Sequence, residues 1–259
     1  MIELLQAEYM KHKKKLYTVF VLLIILYFIC ITRTIQNIFG EQFKFDIYSV
    51  YYSSYGMIFV VSYMAVSLFV LNLFYNEFKN NMLKQLLTAA MTNTEFISVK
   101  LFFSFLFSEI IMILYAALLF IIAWTRKIPF EINDFVFIIL MSIFDGFLLL
   151  LAILPLFAVF IYLKDNAIVS MLVIVIYAAT IVLASAELVN VDILGYFHPL
   201  MDVVFIHNYF LFNHIEIAEY GILENAIEKI NIVFAFTSIV IYSVVSSGLI
   251  AFGFRRIRK

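Results

Sequence analysis

Cysteine is nearly missing from this chain. Of its 259 residues only Cys30 carries a thiol, so no intramolecular disulfide and no cysteine-based metal site is available. Charge is scarce too: 14% of the residues are charged against 65% hydrophobic, which excludes an ordinary soluble domain. There are three prolines and seven scattered glycines, and none of the glycines builds a Gly-x-x-x-x-Gly-Lys-Ser/Thr loop. A phosphate-binding site of that kind is therefore absent. His-Glu-x-x-His, Gly-x-Ser-x-Gly and the paired aspartates of a membrane prenyltransferase are also missing, so no catalytic, cofactor-binding or metal residues are expected. Nothing in the charge pattern points to a nucleic-acid partner.

What the chain has in abundance is long apolar stretches, with thirty Phe and sixteen Tyr. Six runs reach the roughly 20 residues needed to cross a bilayer, near 16–35, 53–75, 99–124, 135–162, 167–186 and 232–254. The expectation is an all-α polytopic membrane protein, a single transmembrane domain over 1–259 with six transmembrane helices. The first run is long enough to span and no small-residue cleavage site closes it, so a retained span is expected rather than a signal peptide. Ahead of it, residues 1–15 place Ile2, Leu5 and Tyr9 on one helical face beside Lys11, Lys13, Lys14 and Lys15, the pattern of an interfacial helix on anionic lipid. With the N-terminus inside, twelve Lys and Arg fall on cytoplasmic segments and five on outer ones, so both termini are expected in the cytoplasm.

Pro155 should kink the fourth run. Ser243, Ser247 and Ala251 form a small-residue stripe suited to helix packing in the last. Residues 187–231 are too apolar for a solvated loop, and two short helices dipping into the outer leaflet as a re-entrant hairpin are expected there. His198, His207 and His214 lie in this stretch at spacings that match no ligand pattern, and they read as interfacial. Two acids stand inside spans: Glu109, about 13 Å of helix beyond Lys100 at the water boundary, and Asp145 at similar depth in the next run. No Lys or Arg at their depth in a span is available to pair with them. They either hydrogen-bond hydroxyls such as Ser62, Ser67, Ser104 or Ser108, or line a pathway for cargo.

Between the second and third runs, Glu77–Lys100 is a polar interlude, with 76–98 as the cytoplasmic loop. Met82, Leu83, Leu86, Leu87 and Ala90 recur on one helical face, and Thr92-Asn93-Thr94-Glu95 reads as a capping box that starts a new helix. The order acid, aromatic, base, Asn, then Leu-Lys-x-Leu-Leu, a hydroxyl, Phe96 and Lys100 resembles the cytoplasmic loop of type-2 permeases of ATP-binding-cassette (ABC) exporters. Asn81-Met82 stand where Gly-Thr is usual in that family, and Ala90 where Pro is common.

The resemblance implies that this loop is a coupling helix docking on a separate ABC ATPase subunit, with Glu77, Lys79, Leu83, Leu86, Leu87, Thr92 and Glu95 at the contact. ATP and Mg would be bound by that partner, and none by this chain. It implies a second permease chain, identical or paralogous, and the plasma membrane of a bacterium. Small permeases of this composition look similar to exporters of amphipathic or antimicrobial peptides, such as lantibiotic-immunity transporters and exporters of phenol-soluble modulins. Drugs, lipid-linked cargo and ions remain alternatives, as does a secondary transporter driven by ion gradients. Against the last stand the lack of an internal repeat and of Gly/Pro-broken helix pairs.

Overall fold

The computed structural model describes residues 2–38, 46–79, 93–163, 166–185, 198–215 and 231–257. They form seven helices: α1 (Ile2–Ile38), α2 (Ile47–Lys79), α3 (Asn93–Arg126), α4 (Ile132–Leu163), α5 (Ala167–Ser185), α6 (Pro199–His214) and α7 (Ile232–Ile257). Local chemistry sets several of their ends. Asp46 Oδ1 accepts from the Ser49 amide at 3.0 Å, while Ser49 Oγ accepts from the Asp46 amide, a reciprocal cap on α2. Asn166 and Asn231 cap α5 and α7 by accepting the amides of Val169 and Phe234. The third helix closes through Lys127, whose positive φ of 56° lets the Ile128 amide reach back to the Ala123 carbonyl at 3.0 Å. Pro129 follows and prevents the helix from resuming.

Five helices are long and apolar enough to cross a membrane: Met10–Ile38, Ile47–Tyr75, Glu95–Arg126, Ile132–Leu163 and Ile232–Gly253. Each contains the run expected in its place, apart from one residue at the end of the last. The run expected over 167–186 corresponds to α5, which has 19 residues and a shorter apolar stretch, Ala167–Thr180. The N-terminal stretch is not a separate element. α1 is one helix of 37 residues, since neither Gly nor Pro occurs between Ile2 and Ile38 to break it.

α4 is the centre of the bundle and packs against α2, α3, α5, α6 and α7. It continues through Pro155, whose missing amide leaves the Leu151 carbonyl without its helical donor. α1 lies against α2 and α3. In α7 the small-residue stripe does not turn inward: Ser247 and Ala251 are exposed, and the buried face is Ala235, Ile239, Ser246, Ile250 and Gly253. There the backbones come close, because a Cβ on Gly253 would stand 2.8 Å from Ile161 Cγ2.

The sixth helix is placed by its two ends. His198 Nε2 pairs with Thr180 Oγ1 at 2.8 Å, and its ring stacks on Tyr177, which in turn meets Tyr63 in the middle of α2. At the other end His214 pairs with the Tyr48 hydroxyl at 2.9 Å and stacks on Phe137. α6 therefore lies alongside the first half of α2. Residues 216–230, the second half of the expected hairpin, lie outside the described residues.

Candidate functional site

Asp145 is thirteen residues into α4, about 20 Å of helix from Ile132. At that depth an ionised carboxylate without partners costs several kcal/mol. Its partner comes from α6: His207 Nδ1 stands 2.8 Å from Asp145 Oδ2, and neither side chain is reached by solvent. Two tyrosines of α2 contact the imidazole. Tyr55 lies flat on it with ring centroids 3.4 Å apart, and Tyr51 tilts against it at 5.4 Å. Tyr51 also directs its hydroxyl at Asp145 Oδ2, at a long 3.5 Å.

Behind these rings a second layer fixes Tyr51. Tyr115 of α3 stacks on it at 5.7 Å, and the Tyr115 hydroxyl meets Ser54 Oγ at 2.8 Å. The pattern that builds this wall is visible in α2, where Tyr48, Tyr51, Tyr55 and Phe59 recur at three- and four-residue spacing on one face.

Glu109 of α3 sits at the same level as Asp145, against the neighbouring Gly146. A methyl group on Gly146 would stand 3.0 Å from Glu109 Cδ and Oε2 and 3.1 Å from its Cα. Glycine is thus what allows α3 and α4 to approach here, and the approach lays the Glu109 carboxylate on the α4 backbone. Neither Glu109 oxygen has a hydrogen-bond partner among the described residues, and Asp145 Oδ1 and His207 Nε2 are likewise unmatched. Two carboxylates and one imidazole thus leave polar atoms unsatisfied among apolar helices, with Asp145 and His207 fully buried and Glu109 partly so.

The hydroxyls expected to serve these acids are elsewhere. Ser62 pairs with Tyr27, Ser104 with the Lys100 carbonyl and Ser108 with the Phe105 carbonyl. Ser67 is buried without a hydrogen-bond partner among the described residues. His207 is a buried partner of Asp145, not an interfacial residue. Sequence reasoning misses it because a pair 62 residues apart leaves no local spacing signal. The three histidines of this stretch are separate, each with its own partner. Among the described residues no cluster of three His, Cys, Asp or Glu groups is placed to hold a metal ion.

Of the loop residues, Glu77 and Lys79 lie in the last turn of α2, and Glu95 is exposed in the first turn of α3. A carboxylate there is favoured by the helix dipole. The start of α3 at Asn93 agrees with the capping box. Leu83, Leu86, Leu87 and Thr92 lie outside the described residues. Lys100, expected at the water boundary, is buried at 1% exposure, with its ammonium 5.3 Å from the centre of the Phe96 ring one turn before it.

A family model described as ABC-2 family transporter protein matches residues 4–180. No curated protein and no solved structure matches the chain. The matched region holds Glu109, Asp145, the tyrosine wall and the whole loop between α2 and α3, while His207 lies beyond it.

Proposed function

The chain belongs to the ABC-2 family of transporter proteins, and from that premise we propose that it is the permease of a two-component exporter moving a cationic amphipathic peptide. As a multi-pass transmembrane subunit of that family it works with an ABC ATPase. In this reading the ATPase is a separate polypeptide that binds ATP and Mg. It docks on the loop from Glu77 to Lys100, and a second permease chain completes the transporter. α5 serves as the sixth span, both termini face the cytoplasm of a bacterial cell, and α6 opens a re-entrant hairpin from the opposite side.

The cargo reading is carried by one observation: two carboxylates on facing helices, Glu109 and Asp145, lie at one level with both Glu109 oxygens and Asp145 Oδ1 unmatched. Buried acids of this kind favour a positively charged guest, since an ammonium or guanidinium supplies both the charge and the missing donors. Closure of the ATPases pulls on the loop between α2 and α3. Those two helices carry Tyr51, Tyr55, Tyr115 and Glu109, so movement there reshapes the acid site directly.

ATPase stimulation of the purified complex across a panel of peptides and drugs tests this. Cationic amphipathic peptides should raise turnover above the basal rate, and neutral peptides should raise it less. Stimulation by neutral drugs alone contradicts the peptide reading.

A further inference from the structure

An unfilled apolar space is lined by neither of the acids. A groove of about 600 Å³ runs between α1 and α2, with Leu22 and Leu26 on one wall and Val61, Ala65 and Leu68 on the other. One end is polar. There Lys15 Nζ donates to Asn72 Oδ1 at 3.0 Å, and the exposed side chains of Lys11, Lys13 and Lys14 surround the same end of α1.

Length decides what fits. Lys15 to Leu26 on α1, and Asn72 back to Val61 on α2, each cover eleven residue-to-residue steps. At about 1.5 Å per residue that is about 16 Å, half of the roughly 30 Å hydrocarbon thickness. An acyl chain of a single leaflet needs half of it.

Charge points the same way. Among the described residues no acidic side chain lines the groove, and its polar end carries a cation where a headgroup phosphate would lie. We propose that the groove between α1 and α2 seats one acyl chain of an anionic phospholipid, whose phosphate meets Lys15. The inference is independent of the cargo and of which side of the membrane the lysines face. It makes the lipid part of the contact between α1 and α2, lying along the exposed side of their packing.

The test uses the full-length chain in nanodiscs made from equal parts phosphatidylglycerol and phosphatidylcholine. The chain is then stripped in detergent and weighed by native mass spectrometry. Wild type should retain one phosphatidylglycerol in preference to phosphatidylcholine. Lys15→Gln should lower that preference about fivefold, as for one lysine at an anionic surface, while still holding a lipid. Ala65→Trp should fill the groove and release the lipid. If Ala65→Trp disturbs the fold, Leu22→Trp narrows the same groove from the exposed face of α1 and should have the same effect. Equal retention of both lipids by wild type overturns the proposal, as does unchanged retention in the folded Trp variant. So does a disulfide between two copies through Leu22→Cys, which would put a second permease over the groove.

Discussion

His207 Nδ1 lies 2.8 Å from Asp145 Oδ2, joining α6 to α4 in the middle of the bundle with both side chains buried. With Asp145 ionised the imidazole donates, and Tyr55, stacked on the ring, keeps it in that orientation. Removing one partner leaves the other buried and unmatched. Truncation is therefore expected to cost more than the net worth of the pair.

The first prediction follows from that asymmetry. His207→Ala and Asp145→Ala should each lower thermal stability in detergent markedly, and the double variant should be less destabilised than the sum. A double-mutant cycle should give a coupling of about 1–3 kcal/mol. Additive effects would mean that the two groups do not interact in the folded protein.

Gly146 gives a second test. Gly146→Ala puts a methyl 3.0 Å from the Glu109 carboxyl carbon and 3.1 Å from its Cα, so α3 and α4 must separate slightly. A loss of about 1–3 kcal/mol is expected. The crowding against the Glu109 backbone survives loss of its side chain, so Glu109→Ala in the same chain should recover only part of the loss. Full recovery, read from thermal unfolding of the four proteins, would show that only the side chain sets the spacing.

The loop between α2 and α3 is tested by transport. Glu77→Ala, or Leu86→Asp with Leu87→Asp, should abolish export while membrane insertion stays intact, as followed by fractionation and a flux assay in vesicles. Normal export in these variants would remove the loop as the ATPase contact.

Accessibility distinguishes a packed α6 from a solvated loop. Phe205 and Phe212 are 2% and 5% exposed, and Phe212 meets Tyr52 of α2 with ring centroids 5.4 Å apart. Cysteines at these two positions should resist a membrane-impermeant thiol reagent, and one at Glu224 should label. Uniform labelling would contradict the packing of α6 against the spans.

Much of the frame was legible because apolar runs report directly on burial in lipid. The third helix shows this well: Thr92–Glu95 marked its start, and α3 runs from Asn93 to Arg126 around the apolar run expected over 99–124. The two acids were legible as well, since a charge inside an apolar run stands out, and their common depth followed from the rise of a helix. Their surroundings were not. His207 reaches Asp145 only because α6 turns back along α2, which no local periodicity encodes. The small-residue stripe of α7 was legible only as a face. Spacing shows which residues share a face but not which way that face turns, and within the chain α7 meets α4 at Gly253.

The most direct measurement compares cargo-stimulated ATPase activity of the assembled transporter with wild-type, Glu109→Gln and Asp145→Asn permeases. It uses one cationic and one neutral amphipathic peptide of equal length. Each neutralised acid should lower stimulation by the cationic peptide about tenfold, the loss of about 1.4 kcal/mol of binding, and leave the neutral peptide nearly unchanged. Assembly with the ATPase should be normal in both variants. Wild-type stimulation by both peptides in both variants would contradict the account and make Glu109 and Asp145 parts of the scaffold alone.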